Sequence, residues 1–502
     1  MSPVIFLVLA AQALLGAFDS FWHHELEARL PQRLGARREL ALHAAREAIY
    51  AIVFIAVAWL ECRGAWALVL GALIAAELVI TLADFLEEDR TRRLPALERL
   101  LHTVLTAMFG AFICLMVPVL AEWAHLQTAL VVVPRGAASW VFTAFAVGVL
   151  AWAVRNLLAL RATRGPAAEA AARASLRAAT GPVPTPVDAP ATVLVTGGTG
   201  FVGRTLVAHL VRDGRRVIVL SRDLLSARGL LGPDVTVIDR LDSLPAETRI
   251  DAIVHLAGAR VLGMPWTRAR RRELVDSRVA LTTALVALMR RLQRRPDVFL
   301  AASATGWYGV PPDGASMRGA GTVPLDEMAP AQPGQFASDL CIAVEHEARR
   351  AEGLGVRVVR LRLGVVLGRG DGAWPMQAFA ARLGLAAILG TGRQPAPWVH
   401  LDDAVGLIRL SLEKPALAGA VNAVAPETPT QREFATSLAA AHGRRAWLRV
   451  PDAPLRWLGG EMSSLMLEGQ AVAPVAAIAA GYQFRYPRLD EACVALARPG
   501  RS

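Results

Sequence analysis

The run Val193-Leu194-Val195-Thr196-Gly197-Gly198-Thr199-Gly200-Phe201-Val202-Gly203 limits what this chain can fold into more than any other stretch. An apolar, β-branched segment runs straight into glycines at three-residue intervals, and a helical pattern follows from Arg204 to Val211. In a strand–loop–helix unit each glycine has its own task. Gly197 lets the chain turn sharply, Gly200 lets backbone approach a pyrophosphate, and Gly203 lets the new helix pack close to the strand. The helix start then offers free N–H groups and a positive dipole end to phosphate oxygens. Thr196, Gly198, Thr199, Phe201 and Val202 complete this cofactor-binding loop. A glycine trio alone would mark only a turn; with its flanking elements it predicts a dinucleotide site.

Beyond residue 191, strand patterns alternate with amphipathic helical stretches. The expected strands are 191–196, 216–221, 235–239, 251–256, 297–302 and 356–361. That order predicts an α/β Rossmann-type, doubly wound parallel sheet over 191–410, with a small C-terminal substrate lobe over 411–502. The second strand ends in Ser221-Arg222, where NAD-binding proteins place an acid on the ribose hydroxyls. A guanidinium there suits a 2′-phosphate in charge and geometry, so NADP(H) is the expected cofactor. Leu256-Ala257-Gly258 ends the fourth strand in small residues that let a cofactor pass over it.

The first 155 residues read differently. Apolar segments at about 3–22, 44–60, 65–85, 103–121 and 137–154 approach the ~20 residues that cross a bilayer. The loop 23–43 carries Arg29, Arg33, Arg37 and Arg38, and the loop 86–102 carries Arg90, Arg92, Arg93 and Arg99. The other two loops carry only Arg63 and Arg135. By the positive-inside rule the arginine-rich loops and the segment after Arg155 are cytoplasmic, which five spans with an outside N-terminus satisfy. The first segment lacks a basic n-region and reads as a span rather than a cleaved signal. This is an all-α transmembrane domain of a multi-pass inner-membrane protein, in contact with the lipid bilayer. A linker rich in Ala, Pro and Arg follows over 156–190.

The formal charge of +11 is carried almost wholly by arginine. Arg268, Arg270, Arg271 and Arg272, with Arg290, Arg291, Arg294 and Arg295, are dense, but no aromatic residues interleave them, and they read as a solvated helix face or one lying against anionic lipid. No nucleic-acid partner is expected. The scattered cysteines Cys62, Cys114, Cys341 and Cys493 lack metal-ligand spacing and read as free thiols.

Residues 191–495 resemble the extended short-chain dehydrogenase/reductases, in particular an atypical epimerase-like subfamily with its own C-terminal domain. The resemblance rests on Thr196–Gly203 with Leu256-Ala257-Gly258, on Trp266-Thr267 and Asp276-Ser277-Arg278, and on Ser303-Ala304-Thr305-Gly306-Trp307-Tyr308-Gly309. It continues through Arg362–Gly368, Gly390–Gln394, Trp398–Asp403, Gly460-Glu461-Met462, Leu467–Gln470 and Gly481–Phe484. It implies an oxidoreductase or epimerase acting on a small or lipid-soluble substrate. Most of the superfamily uses a Tyr-x-x-x-Lys pair, with the tyrosine as acid/base and the lysine lowering its pKa. Alignment on Cys341 and Glu345 puts Ala337 and Cys341 at those positions, and Lys414 is the only lysine in the chain. The resemblance assigns Ser303 to a substrate oxygen. Tyr308 is the candidate proton donor, or else an aromatic wall of the pocket. Thr305, Trp307, Arg393 and His400 are candidate substrate-side groups, with His400 serving as either a polar group or a loop-ordering one.

Glu39, His43 and Glu47 share a helix face, and Glu98 and His102 repeat the four-residue spacing. His23, His24, Glu25, Asp84 and Glu88 lie in the same half of the domain. Carboxylate and imidazole on several helices suit a metal site, a salt-bridged juxtamembrane rim, or a polar pocket for protons or a quinone. Three readings of the whole chain remain open: a membrane-anchored enzyme, a non-catalytic NADP(H) sensor acting on the membrane domain, and a reductase feeding a metal or quinone site there.

Overall fold

The computed structural model describes residues 1–20, 37–91, 96–162, 191–263, 266–310 and 323–498. His23, His24, Glu25, Arg29, Arg33, Arg92, Arg93 and most of the expected linker lie outside them, as do the side chains of Glu88 and Glu98. The chain divides into two compact units, residues 1–173 and 174–502.

The first unit is built from helices α1 (Pro3–Asp19), α2 (Arg37–Trp59), α3 (Ala65–Thr91), α4 (Ala96–Ala124) and α5 (Ala137–Ala162). Strands β1 (Leu60–Arg63) and β2 (Ala129–Val132) pair antiparallel at one end. Four of the helices, α2 to α5, are long and apolar enough to cross a membrane; α1 is apolar but shorter. The expected second segment, 44–60, begins earlier as a helix. The reason is that α2 takes in Glu39 and His43, polar residues that interrupt the apolar run but are buried against other helices. The core is aromatic and aliphatic, with Phe54, Phe112, Phe142, Ile5 and Leu9 fully enclosed.

The second unit is organised by a seven-stranded sheet. Its strands are β3 (Thr192–Thr196), β4 (Arg216–Leu220), β5 (Val235–Ile238), β6 (Ala252–His255), β7 (Val298–Ala304), β8 (Arg357–Leu363) and β12 (Gly419–Ala423). Their order across the sheet is β12-β8-β7-β6-β3-β4-β5, and every pairing is parallel. Near-continuous apolar sequence is what a strand buried on both faces needs. Val195 lies beside Val219 and Val254, and these face one layer with Leu206 and Leu210 of α6 (Phe201–Arg212). Leu194, Ile253 and Phe299 face the other layer. Each fully buried aliphatic side chain there contributes roughly 1.5–3 kcal/mol over its exposed state. The chain order and the two covered faces are those of a doubly wound Rossmann sheet.

β12 was not expected. Its sequence, Gly-Ala-Val-Asn-Ala, is short and small, and only its place beside β8 makes it a strand. The main sheet therefore runs past residue 410. Two further parallel pairs, β9 (Val365–Leu367) with β11 (Trp398–His400) and β10 (Ala387–Leu389) with β13 (Leu448–Val450), form separate two-stranded sheets. The four cysteines are free thiols. Part of the basic cluster is spent inside the fold. Arg271 pairs with Glu461, Arg291 donates to the Leu241 and Leu244 carbonyls, and Arg295 donates to Leu354 O.

Candidate functional site

The loop between β3 and α6 leaves no room for a Cβ at Gly197, Gly198 or Gly203. Gly197 has φ of +73°, and a Cβ on it would stand 2.7 Å from Ala257 N at the end of β6. A Cβ on Gly198 would meet Val219 at 2.8 Å, and one on Gly203 would fall 2.0 Å from Gly197 O. So Gly203 packs its helix onto the loop itself as much as onto the strand. Gly200 is the N-cap of α6, with extended backbone and no side-chain bond to the helix amides. Thr199 and Gly200 are exposed, Phe201 and Val202 half-buried. The first-turn amides therefore face outward uncapped, as an anion cradle requires. The neighbouring strand end is locked in place. Thr196 Oγ1 lies 2.6 Å from His255 Nδ1, and Leu256 N donates to Thr196 O at 3.0 Å. Burial holds the His255 ring down at about 4, so it is neutral near pH 7.

At the end of β4, Ser221 Oγ closes a turn with Asp223, and Asp223 caps helix α7 (Leu224–Leu231). The Arg222 side chain is exposed, with no hydrogen bond or ion pair to a described residue. Arg204, one residue past the glycines, lies at the start of α6 beside this loop. Its guanidinium lies against Gly370, and burial lowers its pKa with no acid acting on it.

The other end of the cleft is made of side chains. Ser303 sits near the end of β7, its Oγ buried, with the Cys341 thiol as its polar neighbour. Helix α10 (Phe336–Arg349) brings Ala337 Cβ and Cys341 Sγ each to 3.6 Å from where a Cβ on Gly306 would be. Cys341 lies beside Ser303, and burial pushes its thiol up. Thr305 opens the single turn that carries Trp307 and Tyr308. Trp307 Nε1 donates to Ala329 O at 3.3 Å, and the Arg362 guanidinium lies 4.0 Å above its ring. Tyr308 is fully enclosed. Its hydroxyl is placed to donate to Asp326 O at 2.9 Å and Asn422 Oδ1 at 2.7 Å, and accepts from Arg362 Nη1 at 3.0 Å. Burial raises the phenol despite the nearby arginine.

Glu345 anchors this end. It is buried on α10 and meets Arg362 in a fork, Nε to Oε1 at 2.9 Å and Nη2 to Oε2 at 3.0 Å, with Arg360 Nη1 at 3.3 Å. The pairing fastens α10 to β8 and so sets where Ala337 and Cys341 stand. Sequence reasoning used Glu345 only as an alignment mark. An acid four residues after Cys341, with Arg-x-Arg in a later strand, was the available signal.

The remaining candidates are placed apart from this chemistry. His400 is the N-cap of the helix Leu401–Glu413, its Nδ1 accepting from Asp402 N at 3.1 Å. Burial, with Arg485 and Arg369, holds its ring at about 3. It orders a loop rather than offering a proton. Arg393 is exposed, and only its backbone amide is bonded, to Thr391 Oγ1. In the helical unit, His43 Nε2 lies 3.3 Å from Asp84 Oδ2, which also accepts from Arg46 at 2.8 Å. Asn156 donates to both oxygens of Glu47, and His102 Nε2 lies 3.1 Å from Asp19 Oδ2. The acids and imidazoles are thus shared among different partners. Among the described residues no group of three or more His, Cys, Asp or Glu is arranged to hold a metal.

The sequence model of the NAD dependent epimerase/dehydratase family matches residues 193–424, and a domain of unknown function (DUF1731) matches 450–496. The human epimerase family protein SDR39U1 is 35% identical over 305 residues, 60% of this chain and 97% of that protein. The chain belongs to this epimerase family. YfhF of Bacillus subtilis, also an epimerase family protein, is 32% identical over 302 residues, 59% of this chain and 95% of its own length. A crystal structure of human SDR39U1 with NADPH superposes with a TM-score of 0.53 at 32% identity, over 61% of this chain and 99% of that one.

Proposed function

We propose that this family member is a membrane-anchored, NADP(H)-binding oxidoreductase or epimerase whose reacting end lacks the Tyr-x-x-x-Lys pair. The observation that carries the reading is the uncapped first turn of α6 behind Gly197, Gly200 and Gly203, with the unpartnered Arg222 at the next strand end. The residues fit the cofactor: a Cβ on Gly203 would disturb the cradle, and the guanidinium matches a 2′-phosphate. The NADPH held by the human relative supports the same choice. When bound, NADP(H) supplies or accepts a hydride. The chain's own part is to hold the diphosphate on the α6 amides and present the Ser303 hydroxyl to a substrate oxygen. Tyr308, with three protein partners, positions the wall of the pocket. The four long apolar helices and the arginine-rich loops support a multi-pass anchor with those loops in the cytoplasm. Tethering suits a lipid-soluble substrate.

One observation favours a second reading, a nucleotide sensor. Ala337 and Cys341 stand at the pair positions, and the Tyr308 hydroxyl is already engaged. The test is a titration of detergent-solubilised full-length protein with NADPH and NADH, followed by nicotinamide fluorescence. NADPH should bind at least tenfold more tightly, and Arg222→Ala should erase most of that preference, a loss of about 1.5–3 kcal/mol. Equal affinity for both nucleotides in the wild type would overturn the NADP(H) assignment. Turnover with any member of a carbonyl library, against none, separates enzyme from sensor.

A further inference from the structure

Between α8 (Arg268–Val275) and α9 (Leu281–Arg291) the helix widens into one π-type turn, Asp276–Ala280. Such turns accommodate an extra residue at a cost in regular hydrogen bonding and are frequent at functional sites. Here the turn swings Arg278 over the end of β6. A Cβ on Gly258 would stand 2.7 Å from the Arg278 Cζ, so the guanidinium lies flat against that glycine. Arg278 Nη2 donates to Ala259 O at 2.8 Å and Nη1 to Leu274 O at 3.4 Å. A guanidinium has more N–H donors than these two carbonyls use. The backbone of the turn is held as well, with its carbonyl accepting from Thr282 Oγ1 at 2.8 Å and from the His255 ring.

No carboxylate pairs with Arg278 among the described residues, and burial lowers its pKa. A mostly buried cation without a counter-charge is costly unless an oxygen-rich group meets it. The sheet order fixes which group that is. Arg222 stands at the end of β4 and the glycine loop at the end of β3. Gly258 follows at the end of β6, then Ser303 at the end of β7. A dinucleotide entering from Arg222 and crossing the loop with its diphosphate reaches β6 with its second nucleotide. Cys341, beside Ser303, is within electrostatic reach of Arg278.

We infer that Arg278 is the fixed cation of the nicotinamide half of the site, donating to the phosphate and ribose oxygens of that nucleotide. It supplies there the positive charge that a lysine at position 341 would otherwise bring. The inference rests on the dinucleotide reading above.

The test compares NADPH with adenosine 2′,5′-bisphosphate, which carries the adenosine end and lacks the nicotinamide nucleotide. Both are titrated onto full-length, detergent-solubilised wild type, Arg278→Met and Arg278→Lys. Arg278→Met should weaken NADPH about tenfold or more and leave the bisphosphate affinity unchanged. It should also shift the emission of bound NADPH, and Arg278→Lys should recover part of the loss. Equal weakening of both ligands would make Arg278 a brace for the Ala259 and Leu274 carbonyls and overturn the inference. Unchanged NADPH binding would overturn it too. A wild type that binds neither ligand would instead defeat the dinucleotide reading, and this inference with it.

Discussion

The two ends of the cleft are built from different material. The nucleotide end is backbone: glycines, a helix start and a strand terminus tied by Thr196 and His255. The proposed reacting end is side chain: Ser303, Cys341, Trp307 and Tyr308, set by the buried Glu345–Arg362–Arg360 cluster. Backbone sites tolerate almost any neighbour but no Cβ. Side-chain sites tolerate changes of residue type only where the bracing holds.

That contrast can be broken most forcefully at Glu345. Glu345→Gln leaves two buried guanidinium groups facing a neutral amide. A loss of about 3–5 kcal/mol is expected, because removing one partner strands the other charge. Thermal unfolding of the full chain measures it, and a loss under about 1 kcal/mol would mean that the cluster does not brace α10. Thiol labelling of Cys341 should accelerate in the same variant.

Gly203→Ala attacks the other end. Its methyl group must displace Gly197 O, so the loop shifts at a cost of about 1–3 kcal/mol. We expect NADPH affinity to fall tenfold or more with little change at Cys341. If labelling of Cys341 changed as much as nucleotide binding, the two ends would be one mechanical unit and the contrast would fail.

Over a single pH unit, the smallest expected effect concerns histidines that hold the frame. His400 and His255 sit at about 3 and about 4 in the fold, against roughly 6.5 in an unfolded chain. The unfolded chain therefore takes up protons that the fold refuses. Their stabilisation is complete above pH ~6.5 and is lost as pH falls toward 3, by up to ~1.4 kcal/mol per pH unit for each ring. His400→Asn keeps a side-chain cap on the helix Leu401–Glu413 and removes one of these uptakes. Its melting temperature should fall less steeply than the wild type's between pH 6 and 4.5, and parallel curves would refute the assignment.

The same contrast explains what the sequence could reveal. Glycine is legible because its spacing reports a backbone need directly, so Gly197, Gly200 and Gly203, the strands before them and the sheet class follow from the letters. β12 was illegible because Gly419–Ala423 has no strand character apart from β8. Glu39 and His43 hid the start of α2 because their burial depends on partners in other helices. Arg278, Glu345 and Asn422 look like surface polar residues until tertiary contacts enclose them. Tyr308 had two readings from sequence, and its enclosed hydroxyl favours the wall.

The bare start of α6 has a thermodynamic consequence. Gly200 contributes no side chain to the first-turn amides, so that end of the helix takes its missing partners from solvent or from a ligand. Whatever anion settles there binds the folded chain and not the unfolded one. A ligand at a hundred times its Kd then adds about 2.7 kcal/mol to the fold. The melting temperature of this unit becomes a gauge of nucleotide supply, and a cell poor in the nucleotide would hold a more fragile protein.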